Sequence, residues 1–237
     1  MRDATLILLG TAASVGFLHT LIGIDHSLPF VVIARSRGWS LGKLLRITAL
    51  CGAAHVLSSV AIGATGIAMG IALDRLQWIE SSRGSVAAWL LIGCGLAYAL
   101  WGVYRARTGR RHSHVHLHDD GIVHVHEHDH GDEHSHIHGQ ARVSAVTVSM
   151  LFVVFLLGPC EALIPLLMVP AAQSSWLVVS VVVMVFGGVT ILTMLALVTL
   201  GHHGLRFRAS RLVEQHMTTL AGLAIAASGL AIQLWGL

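Results

Sequence analysis

Gly95-Leu96-Ala97-Tyr98-Ala99-Leu100-Trp101-Gly102-Val103 and Gly229-Leu230-Ala231-Ile232-Gln233-Leu234-Trp235-Gly236-Leu237 agree at six of nine positions, at an offset of 134 residues. At the same offset Glu80 falls on Glu214, and an offset of 135 puts Gly23 on Gly158 and Gly52 on Gly187. Apolar helices share residues by chance, but a Trp-Gly pair in each copy is a stronger signal. Working outward, each copy closes a block of three apolar runs. These are 4–34, 44–73 and 86–104, then 143–170, 176–200 and 215–237. Three spans per block is an odd number, so the second block must enter a membrane from the opposite side. Inverted repeats of this kind are a transporter architecture, with the site at the repeat interface. A helical scaffold that keeps the repeat only as a relic is the plainer alternative.

The composition agrees with a membrane reading. Of 237 residues, 54% are hydrophobic and 11% charged, and the mean hydropathy is +0.73. A soluble domain averages roughly 25% charged residues. A soluble single-core fold cannot hide this much apolar surface, and the length suits about six spans of ~20 residues. Twelve of the fifteen Lys and Arg fall in the odd connections: Arg35, Arg37, Lys43 and Arg46; Arg105, Arg107, Arg110, Arg111 and Arg142; Arg206, Arg208 and Arg211. The positive-inside rule makes those connections cytoplasmic and sends both termini outward, with the cell inner (plasma) membrane as the expected location. The net charge of +3 comes from these loops and not from a nucleic-acid-binding patch. Asp3 beside Arg2, and apolar character that continues past Ala12-Ala13-Ser14, favour a retained first helix over a cleaved signal.

The expected fold is therefore an all-α integral membrane protein with six transmembrane helices in two inverted three-helix repeats. Pro29 lies in the first long run, and Pro159, Pro165 and Pro170 in the fourth, so both of these helices are expected to be broken. The units are 1–105, a His-rich cytoplasmic loop at 106–140, and 141–237.

Ionisable residues inside apolar runs are costly unless paired or bound to something. The first run holds His19, Asp25 and His26. Seven residues put His19 and His26 roughly 10.5 Å apart along an ideal helix, too far for both to reach one ion at ~2.1 Å. They form one site only if the helix unwinds at Gly23; otherwise they form two successive sites. The repeat lays Asp25-His26 over Cys160-Glu161, and His55 over Thr190. Two broken helices facing each other, with His55 from a neighbour, would supply a mixed N, O and S set for a transition metal: His19, Asp25, His26, His55, Cys160 and Glu161. Plainer readings remain open: an ion pair or proton relay for Asp25 with His26, a helix-bridging hydrogen bond for His55, and buried packing for Cys160, Cys51 and Cys94.

One connection collects eleven of the seventeen histidines: His112, His114, His116, His118, His124, His126, His128, His130, His134, His136 and His138. Six acids are interleaved with them. Such a segment cannot bury a core and is expected to be disordered without metal. Imidazoles in His-x-His blocks suit divalent nickel, cobalt, zinc or copper without selecting among them.

His19-x5-Asp25-His26 resembles the His-x4-Asp-His signature of the nickel/cobalt transporter families, with one more residue between His19 and Asp25. The His-rich loop resembles that of their efflux branch. The six-span layout with Gly158-Pro159-Cys160 is similar to the wider superfamily that includes urease-accessory membrane proteins and thiol-electron carriers. The resemblance implies nickel or cobalt transport with His19, Asp25 and His26 at the metal. The expected function is transport of a divalent transition metal, nickel or cobalt first and zinc next, by efflux from the cytoplasm. With no nucleotide-binding motif, an ion gradient, the membrane potential or a partner protein must drive it, and Glu161 or Asp25 could couple protons by exchange with the metal. The alternatives are metal uptake, membrane thiol-disulfide electron transfer, and metal storage or chaperoning. No motif for enzymatic chemistry is present, and the expected partners are the metal ion and the lipid bilayer.

Overall fold

The first apolar run does not continue as one helix. In the computed structural model, which describes residues 2–107, 112–117, 123–128, 137–173, 175–204 and 216–235, α1 (Arg2–Ile22) stops before Gly23. A 3-10 turn follows at Ile24–His26, and α2 (Leu28–Ser36) resumes with Pro29 in its first turn. Proline is tolerated there because a helix start has no partner for that N–H. A Cβ at Gly23 would collide with His26 Nδ1 and lie 3.0 Å from Asp25 Oδ1. Only glycine lets the turn fold its own side chains back over the backbone.

The fourth run is divided in the same manner. Helix α5 (Ile137–Leu157) ends at Gly158-Pro159, and α6 (Leu163–Ala172) begins after a short non-helical link. The continuous helices are α3 (Leu41–Ala68), α4 (Leu73–Arg107), α7 (Trp176–Gly204) and α8 (Met217–Trp235). Among the described residues, α1, α3, α4, α7 and α8 are long and apolar enough to cross a membrane, five where the sequence leads one to expect six. In the fourth run the described apolar stretches are Thr147–Leu157 and Leu163–Ala172, on either side of the break. Large apolar side chains such as Leu57, Leu100, Met184 and Leu192 point outward, as expected of a surface that meets hydrocarbon.

Helices α4 and α8 pack along a seam of glycines. Gly95 lies against Gly222 and Ala226, Gly102 against Thr219, and Gly229 against Ala88 and Ile92. Residue numbers rise on one helix as they fall on the other, so the two run antiparallel. Two apolar clusters fill the body. One gathers Phe30, Ile33, Leu44, Leu151, Phe155 and Met194, and the other Ala12, Val56, Cys160, Leu163 and Phe186.

The helical body carries the fold, but the His-rich connection is not wholly irregular. Its backbone forms an antiparallel strand pair, His112–Leu117 with Val123–His128, in a register that opposes His114 and His126. Alternation at every second residue is the strand period, and His-x-His blocks have that period regardless of core burial.

Candidate metal centre

The break at Gly23 turns His26 back towards His19. Their ring centroids lie 4.8 Å apart, although seven residues separate them. His55, from the middle of α3, completes a triangle: its ring is 5.2 Å from His26 and stacks 6.2 Å from His19. One nitrogen from each ring lies within 4.8 Å of the others. The Nε2 atoms of His19, His26 and His55 are buried and have no hydrogen-bond partner. Unpaired polar atoms in an apolar interior are costly, and three histidines grouped this closely could hold a cation.

Asp25 enters through His26. His26 Nδ1 donates to Asp25 Oδ1 at 3.0 Å, which fixes the tautomer and leaves Nε2 as a lone pair facing the triangle. The donor set fits a borderline transition metal better than calcium or magnesium, which take oxygen ligands. Bonds of ~2.1 Å to a tetrahedral ion need donors about 3.4 Å apart. From 4.8 Å, the widest nitrogen pair must therefore close by about 1.4 Å, a shift within reach of side-chain rotation at the break.

The triangle lies at one end of a cavity of about 640 Å³. On α4 its lining runs from Gln77 through Ser81 and Ser85 to Leu91, and on α8 it includes only Ile232 and Gln233, near the helix end. The cavity thus extends from the histidines towards the end of the body where α4 starts and α8 finishes. That end has few basic residues. The opposite end carries Arg35, Arg37, Lys43, Arg46, Arg105 and Arg107.

On the basic side of the histidines two phenylalanines pack together. Phe155 lies 6.3 Å from the His26 ring and 6.2 Å from His55, and packs against Phe30 at 4.6 Å. Beyond this pair Arg37 donates from Nε to the Tyr98 hydroxyl at 2.9 Å and from Nη2 to Thr147 Oγ1 at 3.1 Å. Its guanidinium also stands 5.2 Å from the Tyr98 ring centroid and 5.3 Å from that of Trp101. One side chain thereby fastens the end of α2 to α4 and α5.

The other expected site residues lie elsewhere. Glu161 is exposed and lines the same cavity, but it is outside the close triangle. Cys160 is fully buried in the cluster with Leu163 and Phe186, and its backbone N–H donates to Glu80 Oε2. Cys51 belongs to the other apolar cluster, so the two thiols are packed apart, and all three cysteines are free. His118, His130, His134 and His136 lie outside the described residues, as does Glu214.

No family model, curated protein or solved structure matches this chain. The site is read from its own residues. Sequence alone gave Phe155, Arg37, Glu80 and Arg83 no part in the site. For Glu80 and Arg83 a signal was present, since two opposite charges three residues apart in an apolar helix mark a pair. For Phe155 there was none.

Proposed function

We propose that this chain moves a divalent transition-metal cation across a membrane through the His19–His26–His55 site. The observation that carries the reading is the close grouping of three histidines with buried, unpartnered ring nitrogens, beside a helix break and on the wall of a cavity. Alternating access requires such a site near mid-depth with a barrier on one side at a time. The Phe30–Phe155 plug and the Arg37 latch supply that barrier towards the basic end.

The positive-inside rule assigns the basic end to the cytoplasm, so the cavity of this state faces outward. The His-rich connection then lies on the cytoplasmic side as a collector, which favours efflux over uptake. Nickel or cobalt are the leading cargoes, on the imidazole donor set together with the resemblance of His19-x5-Asp25-His26 to the nickel/cobalt transporter signature. Asp25 acts by orienting His26, while Glu161, with Gln77 and Ser81, gives the outward vestibule oxygen ligands for a departing hydrated ion. Thiol-disulfide exchange receives no support, because it needs two thiols in contact.

The test uses inside-out membrane vesicles supplied with nickel, cobalt or zinc, with accumulated metal measured by mass spectrometry. Wild type is expected to accumulate metal, the His55→Ala variant to fall to background, and deletion of residues 112–138 to slow accumulation without abolishing it. Equal accumulation by wild type and His55→Ala rules the reading out.

The latch makes a separate prediction. Two hydrogen bonds to a charged group and the aromatic contacts are together worth roughly 2 kcal/mol, about a thirtyfold change in the closed-to-open ratio. In a cysteine-free background carrying His26→Cys, an impermeant thiol reagent applied from the basic side should react slowly. Adding Arg37→Ala should speed that reaction by more than about tenfold on the same estimate. An unchanged rate means that Arg37 does not control access.

A further inference from the structure

The two helix breaks satisfy their backbone in different ways. A break strands the last carbonyls of one helix and the first N–H groups of the next, and hydrocarbon offers no water to pair them. The first break closes on itself: Gly23 N–H donates to His19 O at 3.0 Å and His26 N–H to Gly23 O at 3.1 Å. The second break draws on α4. Arg83 Nη2 donates to Leu156 O at 2.9 Å and to Gly158 O at 3.1 Å, and Glu80 Oε2 accepts the Cys160 N–H at 3.0 Å. Glu80 is fully buried and is ion-paired with Arg83.

The same pair reaches α3 one turn from His55. Arg83 Nη2 donates to Ser58 Oγ at 2.8 Å, and Ser58 Oγ donates to the His55 carbonyl at 2.8 Å. Ser59 Oγ donates to Glu80 Oε2 at 3.0 Å. Gly158, whose carbonyl Arg83 holds, lies against the His55 ring, so that a Cβ there would be 3.1 Å from Nδ1. Arg83 therefore holds His55 from two directions, through its backbone and through the wall its ring touches.

We propose that Glu80 and Arg83 are a positioning pair that sets the His55 imidazole against His19 and His26, by tying α3 to the second helix break. The inference rests on reading the three histidines as a cation site. Neither residue belongs to the histidine triangle. A guanidinium can span several acceptors in one plane, whereas a lysine ammonium is a point charge on a flexible stem. Arg83→Lys thus keeps the charge beside buried Glu80 and loses the two-way grip.

The experiment is Co2+ titration of purified protein lacking residues 112–138, read by visible absorption and by X-ray absorption at the cobalt edge. Wild type should bind with a three-imidazole signature. Arg83→Lys, still helical and monodisperse, should bind about tenfold or more weakly, in line with other partners that orient a ligand, and should lose one imidazole from the signature. Adding His55→Ala to Arg83→Lys should cost nothing beyond His55→Ala alone, since both act through one ligand. Should Arg83→Lys fail to fold, Ser58→Ala cuts only the link to the His55 carbonyl and should show the same change in smaller measure. A folded Arg83→Lys, or Ser58→Ala in its place, with wild-type affinity and signature overturns the positioning role. So does a loss additive with that of His55→Ala. Wild type that binds no Co2+ overturns the cation site itself, a result distinct from the other two.

Discussion

Replacing His26 by alanine will reduce metal accumulation in inside-out vesicles to the level of vesicles without the protein. His26 is central to the triangle: its ring is 4.8 Å from His19 and 5.2 Å from His55, while those two are 6.2 Å apart. Structural zinc sites bind with roughly 10–16 kcal/mol over four ligands, or ~3 kcal/mol per ligand, which is about a hundredfold in affinity. With three imidazoles the site has no ligand to spare. Asp25→Asn is the informative companion. It keeps the size of the side chain and an oxygen that can accept from His26 Nδ1, but removes the charge that strengthens this bond. Loss of such an outer partner typically costs between about tenfold and a hundredfold in metal affinity. Flux should fall with Asp25→Asn and vanish with His26→Ala. If Asp25→Asn is the more damaging, Asp25 binds the cation directly and the tautomer argument is wrong.

How much of this site the sequence revealed depends on the range of the interactions involved. The unwinding at Gly23 was legible, because His19 and His26 cannot meet on a straight helix and a glycine lies between them with proline just beyond. His55 was visible as an intramembrane histidine, yet nothing local shows it reaching the other two; that follows from how α3 packs on the link after α5. The repeat misled at Cys160 and Glu161. It equates them with Asp25 and His26, but the Cys160 N–H is held by Glu80, and its side chain packs among Leu163 and Phe186. Thr190, the repeat mate of His55, is buried beside Gly16 instead. Arg37 counted only as a topological charge, because its partners Tyr98 and Thr147 are 61 and 110 residues away.

The glycines of the repeated segments also mark the seam least able to change. Gly222→Val is expected to eliminate the folded protein. A Cβ at Gly222 would lie 2.6 Å from Gly95 O and 2.7 Å from Ala99 Cα, and would collide with the Ala99 N–H. These are backbone atoms in the middle of α4, so no rotamer change relieves the clash and the helices must separate. Separation would take the neighbouring close approaches with it, at Gly95, Gly102 and Gly229. Tight backbone packing through small residues is a main source of attraction between helices in lipid, where the hydrophobic effect no longer favours association. Opening the whole seam at once costs more than roughly 4 kcal/mol, a large share of the 5–15 kcal/mol that holds a domain folded. Gly188→Val is the control, since a Cβ there meets nothing within 4 Å. Fluorescence-detected size exclusion of detergent-solubilised variants should give a monodisperse peak for Gly188→Val and aggregate or no peak for Gly222→Val. If Gly222→Val elutes as wild type, the α4–α8 seam is not what holds these two helices together, and the antiparallel packing built on it fails.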